Sequence, residues 1–166
     1  KKDRPMSREI ERKFILERLP AAAQNATVVH LEQGYLALEE EGNEVRLRRA
    51  DERYTLTVKG QGELARRELE TGLTPEQFQA LWPGTEGRRL RKDRYRLDYE
   101  DHTVEIDVYH EPLRGLLLAE VEFDSKKEAD AFEPPAWMGR EVTHLNFLKN
   151  RNLLQFESVD SLMEEL

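Results

Sequence analysis

Four segments of the chain place charged residues at every second position: Glu9, Glu11 and Lys13; Glu44, Arg46 and Arg48; Lys92, Arg94 and Arg96; Glu120 and Glu122. A period of two belongs to the β-strand, whose alternate side chains point to opposite faces. Further segments continue the rows with Lys59, with Glu68 and Glu70, and with Glu105 and Asp107. The intervening positions are apolar, among them Ile10, Phe14, Val45, Leu47, Leu56, Val58, Tyr95, Leu97, Val104, Ile106, Val121 and Phe123. Each strand is therefore expected to carry acids and bases together on one face and to be greasy on the other.

Turn signals divide the chain into about eight such strands. The first runs from about Arg8 to Leu16 and the second from Glu32 to Glu39. Gly42-Asn43 turns into Glu44–Ala50, and Asp51-Glu52 into Arg53–Lys59. Gly60-Gln61-Gly62 precedes a fifth strand at Leu64–Thr71. The pattern then changes to a helix start, Thr74-Pro75-Glu76-Gln77, a capping box with proline at the first helical position. Phe78, Leu81 and Trp82 follow at helical spacing until Pro83-Gly84 stops the helix. Arg88–Tyr99, Thr103–Tyr109 and Leu116–Asp124 are the last three strands. Ser125 and Glu128 mark a second capping box, and the tail from Phe147 to Leu166 reads as one or two helices. Short turns between strands favour antiparallel pairing, and eight strands can close into a barrel that holds one small ligand.

The alternation alone also fits an ordinary sheet with its apolar face inside and its charged face in water. Two features weigh the other way. Water-facing strands usually mix in Ser, Thr, Gln and Asn, and here charge dominates. The amphipathic helices also need an apolar surface to cover, which puts the apolar face outside and the charged face inside. The expected fold class is therefore α+β: an eight-stranded antiparallel β-barrel, a tunnel with a charged interior, covered outside by short helices and a C-terminal helix. Charges turned inward are costly unless opposed by partners or ligands. Carboxylates suit Mg²⁺ or Mn²⁺, and arginine forks with lysine point charges suit phosphate oxygens.

Composition narrows the function. The 166 residues suffice for one domain with a real core, expected over residues 6–166, with residues 1–5 a mobile lead or an expression remnant. The net charge of −8 argues against nucleic acid as the main partner. There is no cysteine, hence no disulfide and no thiolate chemistry, which suits the cytoplasm. No apolar run approaches a membrane span of about 20 residues. His30, His102, His110 and His144 show no metal-ligand spacing and read as surface or loop residues. A homodimer is admitted by the sequence but not specified by it.

The run Glu9-Ile10-Glu11-Arg12-Lys13-Phe14 resembles the E-x-E-x-K signature of the CYTH superfamily, the triphosphate tunnel metalloenzymes. Gln33-Gly34-Tyr35-Leu36, Glu44-Val45-Arg46-Leu47-Arg48, Thr57-Val58-Lys59-Gly60, Lys92-x-Arg94-Tyr95, Glu105-Ile106-Asp107-Val108 and Glu120-Val121-Glu122-Phe123 follow in that family's order. The stretch Leu81 to Arg89 looks like the short bacterial members that hydrolyse inorganic tripolyphosphate. The resemblance implies a metal-dependent hydrolase with Mg²⁺ or Mn²⁺ on Glu9, Glu11, Glu120 and Glu122, with Asp107 supporting the metal region. It implies phosphate binding by Lys13, Arg46, Arg48, Lys59, Lys92 and Arg94, and a reach to the phosphates by Lys149. Lys13 and Arg46 are also catalytic candidates, with Tyr35 either a proton acceptor or a hydrogen-bonding wall residue. Leu145 and Leu148 stand where similar enzymes often have an acid and a tyrosine, so the tunnel end departs from the pattern. Related chemistries are an organic triphosphatase or cyclase (thiamine triphosphate, nucleotide, RNA 5′ end) and a polyphosphate-binding module without turnover.

Overall fold

A computed structural model describes residues 10–40, 42–60 and 68–166. The expected metal ligand Glu9, the lead at residues 1–5, the Gly62 turn and the start of the fifth strand lie outside the described residues. Eight strands are present: β1 (Ile10–Ile15), β2 (Thr27–Leu38), β3 (Glu44–Ala50), β4 (Arg53–Lys59), β5 (Glu68–Leu73), β6 (Arg89–Tyr99), β7 (His102–Tyr109) and β8 (Leu117–Phe123). They form one antiparallel sheet in the order β1-β8-β7-β6-β2-β3-β4-β5. β2 begins five residues before the expected Glu32. Its early part, Thr27 to Leu31, pairs with Arg96 to Lys92 of β6, a partner too distant in sequence to be read locally.

The order is not one continuous meander. β2–β5 and β6–β8 are each meanders; the β2–β6 pairing joins them, and β1 returns to lie beside β8. Among the described residues β1 and β5 do not pair with each other. Instead residues 139–142 run along the outer edge of β1: Gly139 and Val142 donate to the carbonyls of Ile15 and Lys13 at 3.1 and 2.8 Å. That strap satisfies an edge that would otherwise invite pairing. Arg12 clamps it, reaching Glu141 at 2.6 Å and the carbonyls of Ala129 and Phe132.

The apolar face points outward, as the helices required. Phe14, Leu97, Val104, Ile106, Ala119, Val121 and Phe123 are buried beneath helix α2 (Lys126–Ala131), Phe132 and Met138. Across the sheet, α1 (Pro75–Leu81) has the predicted capping box between Thr74 and Gln77, and its Phe78 stacks on Trp82 and meets Tyr54 at 5.0 Å each. The turn Trp82–Thr85 lies so close to β2 that a Cβ at Gly34 would sit 2.6 Å from the Thr85 Cβ. Only half of the second capping box forms: the Ser125 hydroxyl accepts from the Glu128 N–H, while the Glu128 carboxylate reaches the Asp124 N–H instead. His30 and His110 are not isolated either; they bracket Asp93 at 2.6 and 3.0 Å.

The tail takes a different side from the covering helix expected of it. It breaks into a 3₁₀ turn (Asn146–Leu148), α3 (Asn150–Leu153) and α4 (Val159–Met163), the last capped by Ser158. Leu148, Leu153 and Leu162 are buried with Leu90, Tyr109 and Leu118. Those three strand residues have the same parity as Lys92, Asp107 and Glu120, so they share the charged face. One end of that face is therefore apolar, and the tail fills it. Among the described residues no helix is long and apolar enough to cross a membrane.

Candidate active site

The strand registers set the charged face in rows. Glu11 stands opposite Glu122, and Lys13 opposite Glu120, which in turn faces Glu105. Glu105 faces Arg96 and Asp107 faces Arg94 across β6 and β7. On the other half, Gln33 faces Arg48, Tyr35 faces Arg46, and Glu44 faces Lys59. Curling of the sheet brings the halves together. A cavity of about 520 Å³ is lined by Glu11, Lys13 and Glu120 from one half and by Tyr35, Glu44, Arg46 and Lys59 from the other. In a flat sheet β1 and β3 would be separated by five strand spacings of about 4.8 Å each, so a shared wall requires a barrel-like roll.

A second cavity, of about 650 Å³, is lined by Glu11, Glu105, Glu120 and Glu122, with Asp124 and Glu128 at its margin. Glu11 and Glu120 border both cavities. The channel is thus charged on both sides of this pair, mainly acidic on one, where Arg96 and Phe132 also line the wall, and mainly basic on the other, where Glu44 does. Lys13 sits at the junction, paired with Glu120 at 3.2 Å.

Burial sharpens the basic side. Lys92 is only 1% exposed. Its ammonium contacts Asp107 at 2.7 Å and the Asn150 side-chain oxygen at 3.2 Å. Asp107 also takes both forks of Arg94 at 2.8 and 3.0 Å. One carboxylate thus serves two cations. Although burial opposes its charge, Lys92 and Arg94 hold the Asp107 pKa down at about 2. Lys92 has the opposite balance: burial, with the repulsion of Arg94 and Arg48, outweighs Asp107 and brings it down to about 8. For Arg94, burial is outweighed by Asp107, and its pKa rises. Asp107 is not among the residues lining the acidic cavity; its oxygens are engaged by cations.

Arg46 and Arg48 differ from these. Among the described residues no carboxylate lies within ion-pair distance of either, and the buried Arg46 Nε has no hydrogen-bond partner, nor has Glu44 Oε2. Among the described residues Arg48 is held by the Gln33 side-chain oxygen, at 2.9 and 3.2 Å. Burial and the nearby charges of Arg46 and Arg94 bring Arg48 down to about 10. An unpaired guanidinium in such a place is expensive unless a ligand completes it. Tyr35 is 1% exposed, and burial together with the Glu44 carboxylate pushes its phenol up to about 12. It remains a phenol at neutral pH. Lys149 is exposed on the cavity wall, beside Asn150 and Arg151.

Of the residues singled out in the sequence, Glu11, Lys13, Tyr35, Arg46, Lys59, Glu120 and Lys149 meet in one cavity, and Glu122 joins Glu11 and Glu120 in the other. Arg48, Lys92, Arg94 and Asp107 form the layer behind. Gln33, Asn150 and Arg151 were missed. Gln33 had a signal, since it shares parity with Tyr35; Asn150 and Arg151 sit in a tail whose route is set by packing.

A rolled antiparallel sheet around a channel with an acidic and a basic half defines a β-tunnel protein for a polyvalent anion and cations. The CYTH domain matches residues 7–155, and the chain belongs to that family. It is 44% identical over 146 residues to the inorganic triphosphatase of Nitrosomonas europaea, covering 87% of this chain and 95% of that one. The inorganic triphosphatase of Acetivibrio thermocellus is 34% identical over 160 residues, covering 90% and 95%. A crystal structure of an inorganic triphosphatase superposes with a TM-score of 0.77 at 40% identity, over 92% of this chain and 98% of that chain.

Proposed function

We propose that the chain is a metal-dependent hydrolase that cleaves inorganic triphosphate to pyrophosphate and phosphate within its channel, acting as one domain over residues 6–166. The observation that carries this is Arg46, a cation on the wall of a cavity shared with Glu11 and Glu120 and without an acidic partner among the described residues, with Arg48 behind it likewise lacking one. A linear polyanion supplies the missing counter-charge. Lys13, Lys59 and Lys149 add point charges along the same wall. The basic cavity also favours a bare phosphate chain: among the described residues lining it the one aromatic ring is the buried Tyr35, so no open ring is offered there to a base or a thiazole, His102 and Phe132 lying at the acidic cavity.

The acidic half fits divalent metal. Glu11 and Glu122 face each other directly, as do Glu105 and Glu120, with Lys13 on Glu120 at 3.2 Å and Arg94 on Glu105 at 3.3 Å beside them, so acids gather here in a cluster that a divalent cation can join. Oxygen donors of this kind suit Mg²⁺ or Mn²⁺. Among the described residues no three are already gathered to enclose an ion. Glu11, Glu120 and Glu122, with Glu9, would hold it. Bound there, a divalent ion supplies charge neutralisation on the phosphoryl oxygens and an acidified water.

The chain's own groups provide the remainder. Arg46 holds the phosphates with Arg48 and Arg94 adding positive charge behind it, and Lys13 stands where the basic and acidic halves meet. Positioning and charge stabilisation carry most of such a reaction. Tyr35, un-ionised at neutral pH, donates its hydroxyl to an oxygen rather than accepting a proton. Asp107 acts by orienting Lys92 and Arg94.

Phosphate release from tripolyphosphate, ATP and thiamine triphosphate, with Mg²⁺, with Mn²⁺ and with chelator, tests the assignment. Metal-dependent release is expected, fastest from tripolyphosphate. Glu120→Gln and Arg46→Ala should each melt like the wild type and lose about 100-fold or more in turnover. Absence of metal-dependent release from all three substrates sinks the proposal.

A further inference from the structure

Resting on the triphosphatase reading, we propose that Gln33 is a positioning residue that aims Arg48, and that its being an amide rather than a carboxylate keeps the Arg48 charge available to the substrate. Gln33 is fully buried on the channel side of β2 and stands directly across from Arg48. Its side-chain oxygen accepts from Arg48 Nε at 3.2 Å and from Nη2 at 2.9 Å. A guanidinium only donates, so the atom facing it must be the oxygen; the amide nitrogen is then left to point at the Tyr35 hydroxyl, 3.4 Å away. Two bonds on one oxygen fix the plane of the guanidinium.

A glutamate at this position would hold Arg48 more strongly, through charge-assisted bonds. The surroundings favour one, since burial and the charges of Arg46 and Arg94 all disfavour the Arg48 cation. Other bases of the channel have acids: Lys13 has Glu120, Lys59 has Glu44, and Lys92 and Arg94 share Asp107, while Arg46, like Arg48, has none among the described residues. At Arg48 geometry is supplied without charge. The neutral partner leaves a directed positive charge that an anion entering the channel can complete.

Gln33→Glu keeps size and shape and adds only the charge, which the neighbouring guanidinium groups would keep ionised. Gln33→Leu removes the acceptor and leaves the charge. Calorimetric titration with tripolyphosphate in chelator reads binding apart from activity, and steady-state kinetics with Mg²⁺ read KM and kcat. Gln33→Glu should bind at least about tenfold more weakly and raise KM by as much, with a melting temperature not below that of the wild type. Gln33→Leu should bind within a few-fold of wild type but lose kcat, because Arg48 is no longer aimed. Wild-type protein that neither binds nor hydrolyses tripolyphosphate refutes the functional reading. Wild-type binding with unchanged affinity and KM in Gln33→Glu overturns the role of the neutral amide, and a wild-type kcat in Gln33→Leu overturns the positioning.

Discussion

Asp107 shows how much a single side chain can hold in place. It is 6% exposed and binds both Lys92 and Arg94. Removing one partner of a buried ionic cluster leaves the others without compensation, a loss of about 3–5 kcal/mol. Asp107→Ala should therefore lower the urea midpoint at pH 7 and weaken triphosphate binding through misplaced Lys92 and Arg94. The sign with pH follows from its folded pKa of about 2, below the unfolded value of about 3.9. Its contribution is complete above the unfolded pKa and is lost as pH falls through the folded one. The gap in urea stability between wild type and Asp107→Ala should accordingly close between about pH 4 and pH 2. A gap unchanged across that window would show that Asp107 is not ionised in the folded protein. The alternation of charges placed Asp107 on the right face, but nothing in it said that the residue would spend its oxygens on bases.

At the scale of elements, strands and caps were legible because their signals are local. The Thr74 box closes as read, and the strand periods give the faces correctly. Longer-range facts were not. Gly34 looks like any strand glycine in sequence, yet the turn Trp82–Thr85 rests on it. Gly34→Ala should force that turn away and cost about 1–3 kcal/mol, measured by thermal or urea unfolding. A neutral substitution would mean that the turn does not pack there. The strap at residues 139–142 likewise carries no strand pattern, since it borrows hydrogen bonds from β1 rather than forming a strand of its own.

For the molecule as a whole, the tail decides the shape of the channel. Leu162 is fully buried, 45 residues after Leu117 begins the last strand, and it sits in the cluster that includes Leu90, Tyr109 and Leu118. Asn150 accepts from both Lys92 and Tyr109, and Arg151 donates to the Glu39 carbonyl at the far end of β2. The tail thus crosses from the β1 side to the β2 side, and its Lys149, Asn150 and Arg151 line part of the basic cavity. Leu162→Ala should cost about 2–5 kcal/mol and, by loosening the tail, raise KM for tripolyphosphate. If stability drops and KM does not move, the tail is a core element without influence on the site.

Sequence alone determined that the strands are two-faced and which residues share the charged face, because side-chain parity in a strand is fixed by backbone geometry. Only the tertiary structure decided how the halves pair through β2 and β6, how the roll sets acids against bases, and that the tail turns inward. Those depend on contacts between residues far apart along the chain, where packing volume and charge compensation outweigh any local pattern.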